Sequence, residues 1–312
     1  MDWTEKIRLK HLSFLLSLQE TNNLSLTAKA LNTTQPGVSK WLKELESEMG
    51  VILFERHSRG MFPTRHGQVL IAHAKRIVSN LDRASKDMQA LKEGAWAKVV
   101  IGTSGSAAAS TLPHAVTLLM EEQADLNIEL FEDTLDRLLP RLVQGELDLI
   151  VARTWEGALD VDVATEELFE EVLSVLARHD HPVFDLASIQ WQDLLQYPWL
   201  LPTPDSTVRA AFDRSISLAG WAAPPHQIIS NSVISNLAIA RRSLALFTLS
   251  QRSGRSLFDL SRIREVPISL THKEPITLYW RKNTIDSRSL ALTKNALRRA
   301  AHLNQAALPP PT

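Results

Sequence analysis

Leu9, Leu12, Leu15, Leu16 and Leu18 fall on or beside one helical stripe, which predicts a first helix. The polar run Thr21-Asn22-Asn23 breaks it, and Ser25 is positioned to cap a short second helix over Leu26 to Leu31. Asn32-Thr33-Thr34 reads as a turn. Thr34 caps the next helix, whose first turn tolerates Pro36 because the missing N–H has no helical partner there. Val38, Leu42, Leu45 and Met49 mark its buried face, and Gly50 ends it. The apolar run Val51 to Phe54, the basic turn Arg56-His57-Ser58-Arg59-Gly60 and the segment Met61 to Thr64 together predict a small β-wing.

A second texture follows. Leu70, Ala74, Ile77, Leu81, Ala84, Met88 and Leu91 are spaced alternately by four and three, the period of a coiled-coil seam. A helix from Arg65 to Glu93 would be a rod of about 43 Å at 1.5 Å per residue, long enough to pair two chains. From Lys98 onward, strand-like and helix-like stretches alternate. Lys98 to Thr103, Asn127 to Phe131 and Leu149 to Val151 read as strands. Ser104 to Ser110 reads as a small-residue loop, while Leu112 to Met120 and Leu135 to Val143 read as helices. That alternation predicts a parallel α/β architecture.

Composition narrows the class. The chain has 312 residues, 44% hydrophobic and 22% charged, as in ordinary globular proteins. No apolar run approaches the roughly 18 residues of a membrane span. The charged start, Met1 to Lys10, is unlike a secretory signal, so a cytoplasmic location without membrane attachment is expected. With zero cysteines, neither a disulfide framework nor a thiolate metal site is available. The net charge of -1 hides an asymmetry: residues 1–94 carry 14 Lys and Arg against 10 Asp and Glu, whereas residues 95–312 carry 20 against 25. A basic front suits a domain that meets phosphate.

A short helix, a tight turn and a second short helix form a helix-turn-helix, whose second helix presents its N-terminal residues to base edges in the major groove. Gln35, Ser39, Lys40 and Lys43 occupy that end here. Gln can pair bidentately with adenine, and Ser and Lys reach base or phosphate. Arg56 and Arg59 of the wing are the candidates for flanking phosphates. The segments Ser25-Leu26-Thr27-x-x-Ala30-Leu31, Thr34-Gln35-Pro36-x-Val38-Ser39, Leu45-Glu46 and Gly50-x-x-Leu53-Phe54-x-Arg56 resemble the LysR-type helix-turn-helix. Arg59-Gly60 matches its wing and Thr64-x-x-Gly67 its entry into the linker helix; Pro63 departs from the family's usual apolar residue. The resemblance adds Ser25, Thr27, Thr34 and Pro36 to the expected DNA-binding residues.

Downstream, Gly145-x-Leu147-Asp148-Leu149 resembles the family's first-lobe signature, and Glu167 to Ala177 with Arg178-His179-Asp180-His181-Pro182 resembles its crossover into a second lobe. The family's usual glycine pair and strand-ending proline are replaced within Ala240 to Leu249 by Arg241-Arg242-Ser243 and Phe247-Thr248. The resemblance implies an α+β multidomain chain. A winged helix-turn-helix occupies residues 1–64 and a dimerising linker helix residues 65–94. A two-lobed α/β effector domain like the periplasmic binding proteins follows, with lobe I in 95–163 and 268–304 and lobe II in 164–267.

Ligands of such folds bind beyond the C-terminal ends of strands, in the crevice between lobes. By that rule Thr103, Ser104 and Ser106 follow the first strand, and Thr203, Ser206 and Arg209 follow Trp199-Leu200-Leu201. Ser230 and Ser232 precede another helix, and Arg153, after the third strand, is placed to hold a carboxylate. Gly102-Thr103-Ser104-Gly105-Ser106 misses the nucleophile elbow Gly-x-Ser-x-Gly by its last residue. His179-Asp180-His181 has no third ligand nearby in sequence. No catalytic residue, metal or cofactor is therefore expected. The expected partners are double-stranded promoter DNA, a small-molecule effector such as a small organic acid or other catabolic metabolite, a second copy of the chain, and RNA polymerase. The resemblance further implies a tetramer of two dimers whose DNA-binding pairs move when effector changes the lobe arrangement. Two rivals are an α/β enzyme with an appended DNA-binding domain, and an architectural protein whose second domain only oligomerises.

Overall fold

The computed structural model describes residues 3–93, 98–154, 162–253, 262–268, 270, 273–282 and 287–306. The chain divides into two compact units, Met1–Lys92 and Glu93–Thr312.

In the first unit, α1 (Leu9–Thr21), α2 (Leu24–Ala30) and α3 (Gln35–Met49) precede a hairpin of β1 (Phe54–His57) and β2 (Gly60–Pro63), and α4 (Arg65–Glu93) follows. The capping differs from the sequence reading at one point. Asn22 closes α1 in the left-handed region, so Asn23 is the first extended residue, and its side chain accepts from Ser25 N and Leu26 N. Asn23, not Ser25, is thus the cap of α2. Thr34 caps α3 through Gly37 N, and Gly50 ends α3 at φ 67°. Strand pairing starts at Phe54, later than Val51, and Ile52 is exposed.

The core of this unit joins Leu12, Leu15 and Leu18 of α1 to Leu42 and Leu45 of α3 and to Leu53 and Phe54. Leu70, Ile71 and Ala74 of α4 complete it. Leu70 and Ala74, read from sequence as dimer seam, are therefore occupied inside their own domain. Burial of one helical stripe gives the same spacing whether the covering surface is intra- or intermolecular. Further along α4, Ile77, Leu81, Ala84 and Met88 are exposed. The Leu91 side chain lies outside the described residues.

The second unit holds two five-stranded sheets of matching design. The first has the order β4-β3-β5-β12-β6 and the second β11-β7-β10-β8-β9. In the first sheet, β3 (Val99–Thr103) runs parallel to β4 (Ile128–Glu132) and β5 (Leu149–Arg153), and β12 (Glu274–Arg281) lies antiparallel between β5 and β6 (Val163–Glu171). In the second, β8 (Trp199–Leu201) runs parallel to β9 (Gln227–Ile229) and β10 (Leu246–Ser250), while β7 (Leu173–Arg178) is antiparallel to β10 and to β11 (Ile263–Glu265). Only Val172 separates β6 from β7, so the chain passes between lobes there, and it returns between β11 and β12.

Helices α5 (Gly105–Ala108), α6 (Thr111–Glu122), α7 (Leu135–Gln144) and α11 (Arg288–Ala306) belong to the first lobe, and α8 (Trp191–Leu194), α9 (Thr207–Leu218) and α10 (Val233–Ala240) to the second. The stretch Ser104 to Ser110, read as a loop, contains the single turn of α5. Each lobe buries two clusters, around Ile101, Val151, Leu278 and Leu297 and around Leu138, Ile150 and Tyr279 in the first, and around Trp191, Trp199, Phe212 and Leu246 and around Leu176, Leu200 and Phe247 in the second. The lobe I signature has a packing explanation. Gly145 ends α7 at φ 81°, Leu147 and Leu149 are buried, and the Asp148 carboxylate accepts from Val100 N at 2.9 Å.

Candidate DNA-reading surface and effector cleft

The exposed N-terminal turns of α3 carry Gln35, Pro36, Lys40 and Lys43, with Ser39 half-buried beside them. Lys40 makes only a loose surface pair with Glu44, at 3.8 Å, which leaves its charge available. Val38, Leu42 and Leu45 anchor the opposite face. Trp41 stacks on His11 at 4.7 Å and meets Phe14 edge-on, packing α3 against α1.

Thr27 leaves the set of expected contacts. It is fully buried, and its hydroxyl donates to Asn23 O and pairs with Thr21 Oγ1 at 2.8 Å, joining α2 to the end of α1. Ser25 is exposed on α2, and Thr34 is exposed at the cap of α3.

The wing is fastened to the helices by three contacts that account for its motif residues. One Glu46 carboxylate oxygen accepts from Leu53 N at 2.7 Å and Phe54 N at 3.1 Å. Met61 N donates to Asn22 O at 2.8 Å, and a Cβ at Gly60 would lie 2.4 Å from that same oxygen. At the entry to α4, Thr64 Oγ1 accepts from Gly67 N, and a Cβ at Gly67 would lie 2.1 Å from Leu53 O. Arg56 and Arg59 stand exposed on the hairpin so fixed.

The effector lobes enclose a cleft of about 470 Å³ between them. Of the eight residues proposed from sequence, Ser104, Ser206, Ser230 and Ser232 line it. Ser206 and Ser232 cap α9 and α10 through Val208 N and Ser235 N, so the free N–H groups of both helices begin at the cleft wall. Thr203 stands behind the wall, where it bonds Asn231, itself a lining residue. Thr103 is buried in the sheet and donates to Val151 O at 3.1 Å. The Ser106 side chain lies outside the described residues.

Arg153 is the clearest correction. It is completely buried, does not line the cleft, and lies 3.6 Å from Glu171 and 3.7 Å from Glu274. Its partners come from the end of β6 and the start of β12, where the chain crosses between lobes. Burial lowers the Arg153 guanidinium from its ordinary value and raises the Glu171 carboxyl, and the opposite charges resist both shifts. Arg209 is likewise committed, to Asp213 at 2.9 Å and to Gln227. His181 is buried as the cap of a 3-10 turn and packs on Tyr197.

The cleft also gathers residues without a local sequence signal: Glu132, Asp133, Thr134, Asn236 and Thr248. Four buried polar atoms on its walls, Ser104 Oγ, Thr134 Oγ1, Asn236 Oδ1 and Thr248 Oγ1, have no hydrogen-bond partner. Ser104 Oγ thus has no base bonded to it among the described residues.

Residues 9–68 match the family model for the bacterial regulatory helix-turn-helix protein, lysR family, and residues 93–301 match that for the LysR substrate binding domain. The chain belongs to the LysR family. It is a LysR-type transcriptional regulator with an effector-binding domain. Among curated relatives of this LysR-type chain, the HTH-type transcriptional regulator GbpR of Azospirillum brasilense is 30% identical over 307 residues, covering 96% of this chain and 89% of the relative. PcaQ of Agrobacterium fabrum is 26% identical, covering 95% and 96% respectively. Among solved structures, full-length CbnR complexed with its target DNA aligns at a TM-score of 0.67 and 19% identity, over 94% of this chain and all 100% of that one. That likeness fixes the LysR-type fold, the helix-turn-helix followed by a two-lobed α/β domain. No helix among the described residues is long and apolar enough to cross a membrane.

Proposed function

We propose that this LysR-type regulator reads promoter DNA through α3 and its wing, and that a small polar metabolite held between the effector lobes controls that reading. The observation that carries the second half is the set of four unpartnered polar atoms on the cleft walls. A buried polar atom without a partner costs about 1 to 3 kcal/mol, so a ligand that satisfies several at once binds preferentially to the lobe arrangement that brings them together. A ligand with unequal affinity for two arrangements shifts their balance.

On the DNA side, Gln35, Ser39 and Lys43 are the base-reading candidates, with Lys40, Arg56 and Arg59 on phosphate. The exposed stripe Ile77, Leu81, Ala84 and Met88 is the surface on which a second copy of α4 packs, giving a homodimer with two recognition helices; pairing of dimers into a tetramer and contact with RNA polymerase extend this reading. The protein acts in the cytoplasm and requires no metal or cofactor in this scheme.

Selection of the full chain on random-sequence duplex DNA, followed by gel shift, tests the DNA half. The expected result is a site with two related half-sites about one or more helical turns apart. Ser39→Ala and Arg56→Ala should weaken its binding, Arg56→Ala also flattening the salt dependence. Hydrogen exchange tests the cleft half: a bound effector should protect 132–135, 203–208 and 230–236. No selected site, or an effector that protects none of these segments, would overturn the corresponding half.

A further inference from the structure

The lining of the cleft specifies more than a small polar ligand. Among the described residues its polar side chains are hydroxyls (Ser104, Thr134, Ser206, Thr207, Ser230, Ser232, Thr248), amides (Asn231, Asn236) and two carboxylates (Glu132, Asp133), with no Lys or Arg. The Glu132 carboxylate overhangs the cleft: one oxygen lies 3.8 Å from the position of a Cβ at Gly105, as does a methyl of Val233 from the opposite lobe. Asp133 is already engaged, by Thr134 N at 2.8 Å and loosely by Arg137.

These groups differ in what they ask of a ligand. A carboxylate accepts only. Asn236, a lining residue, donates its NH₂ to Ser230 O at 3.3 Å, which leaves its buried Oδ1 as an acceptor without a partner. Glu132 and Asn236 therefore both require donors, whereas the free hydroxyls of Ser104, Thr134 and Thr248 give or accept. A simple aromatic or dicarboxylic acid offers acceptors alone, leaves Asn236 Oδ1 unmatched and places like charge beside Glu132. Alcohol groups donate and accept together. The apolar part of the wall, from Leu135, Pro202, Val208, Val233, Ile234 and Leu249, suits the carbon face of a ligand.

We infer that the cleft takes a polyhydroxylated ligand of monosaccharide size, with Glu132, Asn236 and Thr248 as the residues that select hydroxyl groups over bare carboxylates. The inference rests on the cleft being the effector site. Neutral sugars and sugar acids share the hydroxylated chemistry. The N-termini of α9 and α10 at the wall favour a carboxylate at that end of the ligand, so the two are separated by experiment.

The test is calorimetric titration of the full chain with D-glucose, D-galactose, L-arabinose, D-gluconate and D-galacturonate, alongside benzoate and succinate, repeated on Glu132→Gln, Asn236→Leu and Thr248→Val. Melting temperature without ligand and affinity for the selected DNA check that the variants fold. Binding by at least one hydroxylated compound is expected, weakened roughly five- to tenfold by Thr248→Val and at least tenfold by Asn236→Leu. Glu132→Gln should weaken neutral sugars but relieve exclusion of benzoate and succinate. A preference for gluconate or galacturonate over the neutral sugars would place the carboxylate at α9 and α10. Binding of benzoate or succinate alone, weakened by Thr248→Val, would overturn the ligand class and leave the cleft standing. Hydroxylated compounds that bind all three variants like the parent would locate binding elsewhere and overturn both. No binding by any hydroxylated compound overturns the class.

Discussion

Replacing Glu46 should uncouple the wing from the recognition helix. Its carboxylate bridges α3 to the backbone of Leu53 and Phe54 through bonds of 2.7 and 3.1 Å. Hydrogen bonds to charged groups contribute about 1.5 to 3 kcal/mol each. The two here share one oxygen, which makes their sum less than twice that, so Glu46→Ala should cost about 3 kcal/mol. Against the 5 to 15 kcal/mol typical of a domain that is a large fraction, and it corresponds to roughly a 150-fold change in an equilibrium constant. The loss is local, because Leu53 and Phe54 remain apolar core residues. The N–H groups of Leu53 and Phe54 should then exchange faster by about two orders of magnitude, while the core of α1 keeps most of its protection. DNA affinity should fall because Arg56 and Arg59 are no longer held in one place. Glu46→Gln keeps an acceptor and should lose about half as much. Hydrogen exchange on the full chain, with gel shift on the selected site, reads both effects. Unchanged exchange at residues 53 and 54 in Glu46→Ala would mean that the carboxylate does not hold the wing to α3.

Other perturbations follow from buried charge and exposed apolar surface. Arg153→Met should destabilise the effector unit by about 3 to 5 kcal/mol, since it strands Glu171 beside Glu274; adding Glu171→Met should restore part of the loss, and thermal unfolding of single and double variants gives the coupling. The fall in the His181 value comes first from burial. At His181 the unfolded state therefore binds more proton than the folded state from about pH 6.5 down to the lowered folded value, and stability present at neutral pH should decline as pH falls through that window. Melting of the effector unit between pH 8 and pH 5 should show this decline, less steeply in His181→Phe, and an equal slope in the variant would remove His181 from the account. Leu81→Lys places charge in the exposed stripe of α4 and should convert dimer to monomer in sedimentation, whereas Leu70→Ala should lower stability without changing mass, because Leu70 lies in its own domain's core.

Much of the fold was legible because its determinants are local. Thr34, Pro36 and Gly50 bound α3 by capping chemistry that acts within a few residues, and the strand-helix alternation after Val99 follows from periodicity. The error at Ser25 is equally local: two side chains two residues apart can both cap, and the left-handed Asn22 decides for Asn23. The cleft was legible only where a cap gave it away, at Ser206 and Ser232, or where a strand ended, at Ser104 and Ser230. Asn236 lies within a helix and Thr248 within a strand, positions whose exposure to a cavity depends on how the lobes meet. Arg153 was misplaced for the same reason. The strand-end rule located its backbone correctly, but Glu171 and Glu274 reach it through pairings that no short-range pattern encodes.

Occupancy of the lobe cleft should change how the helix-turn-helix binds DNA, and fluorescence anisotropy of the full chain on its selected duplex, with and without the cleft ligand at saturation, reads that change. The expected result is a change of about fivefold or more in DNA affinity or a shift in the bound footprint, abolished in Thr248→Val at a ligand concentration that no longer fills its cleft, and a reciprocal change in ligand affinity when DNA is present. Identical DNA binding and an unaltered footprint with the cleft demonstrably filled would contradict it.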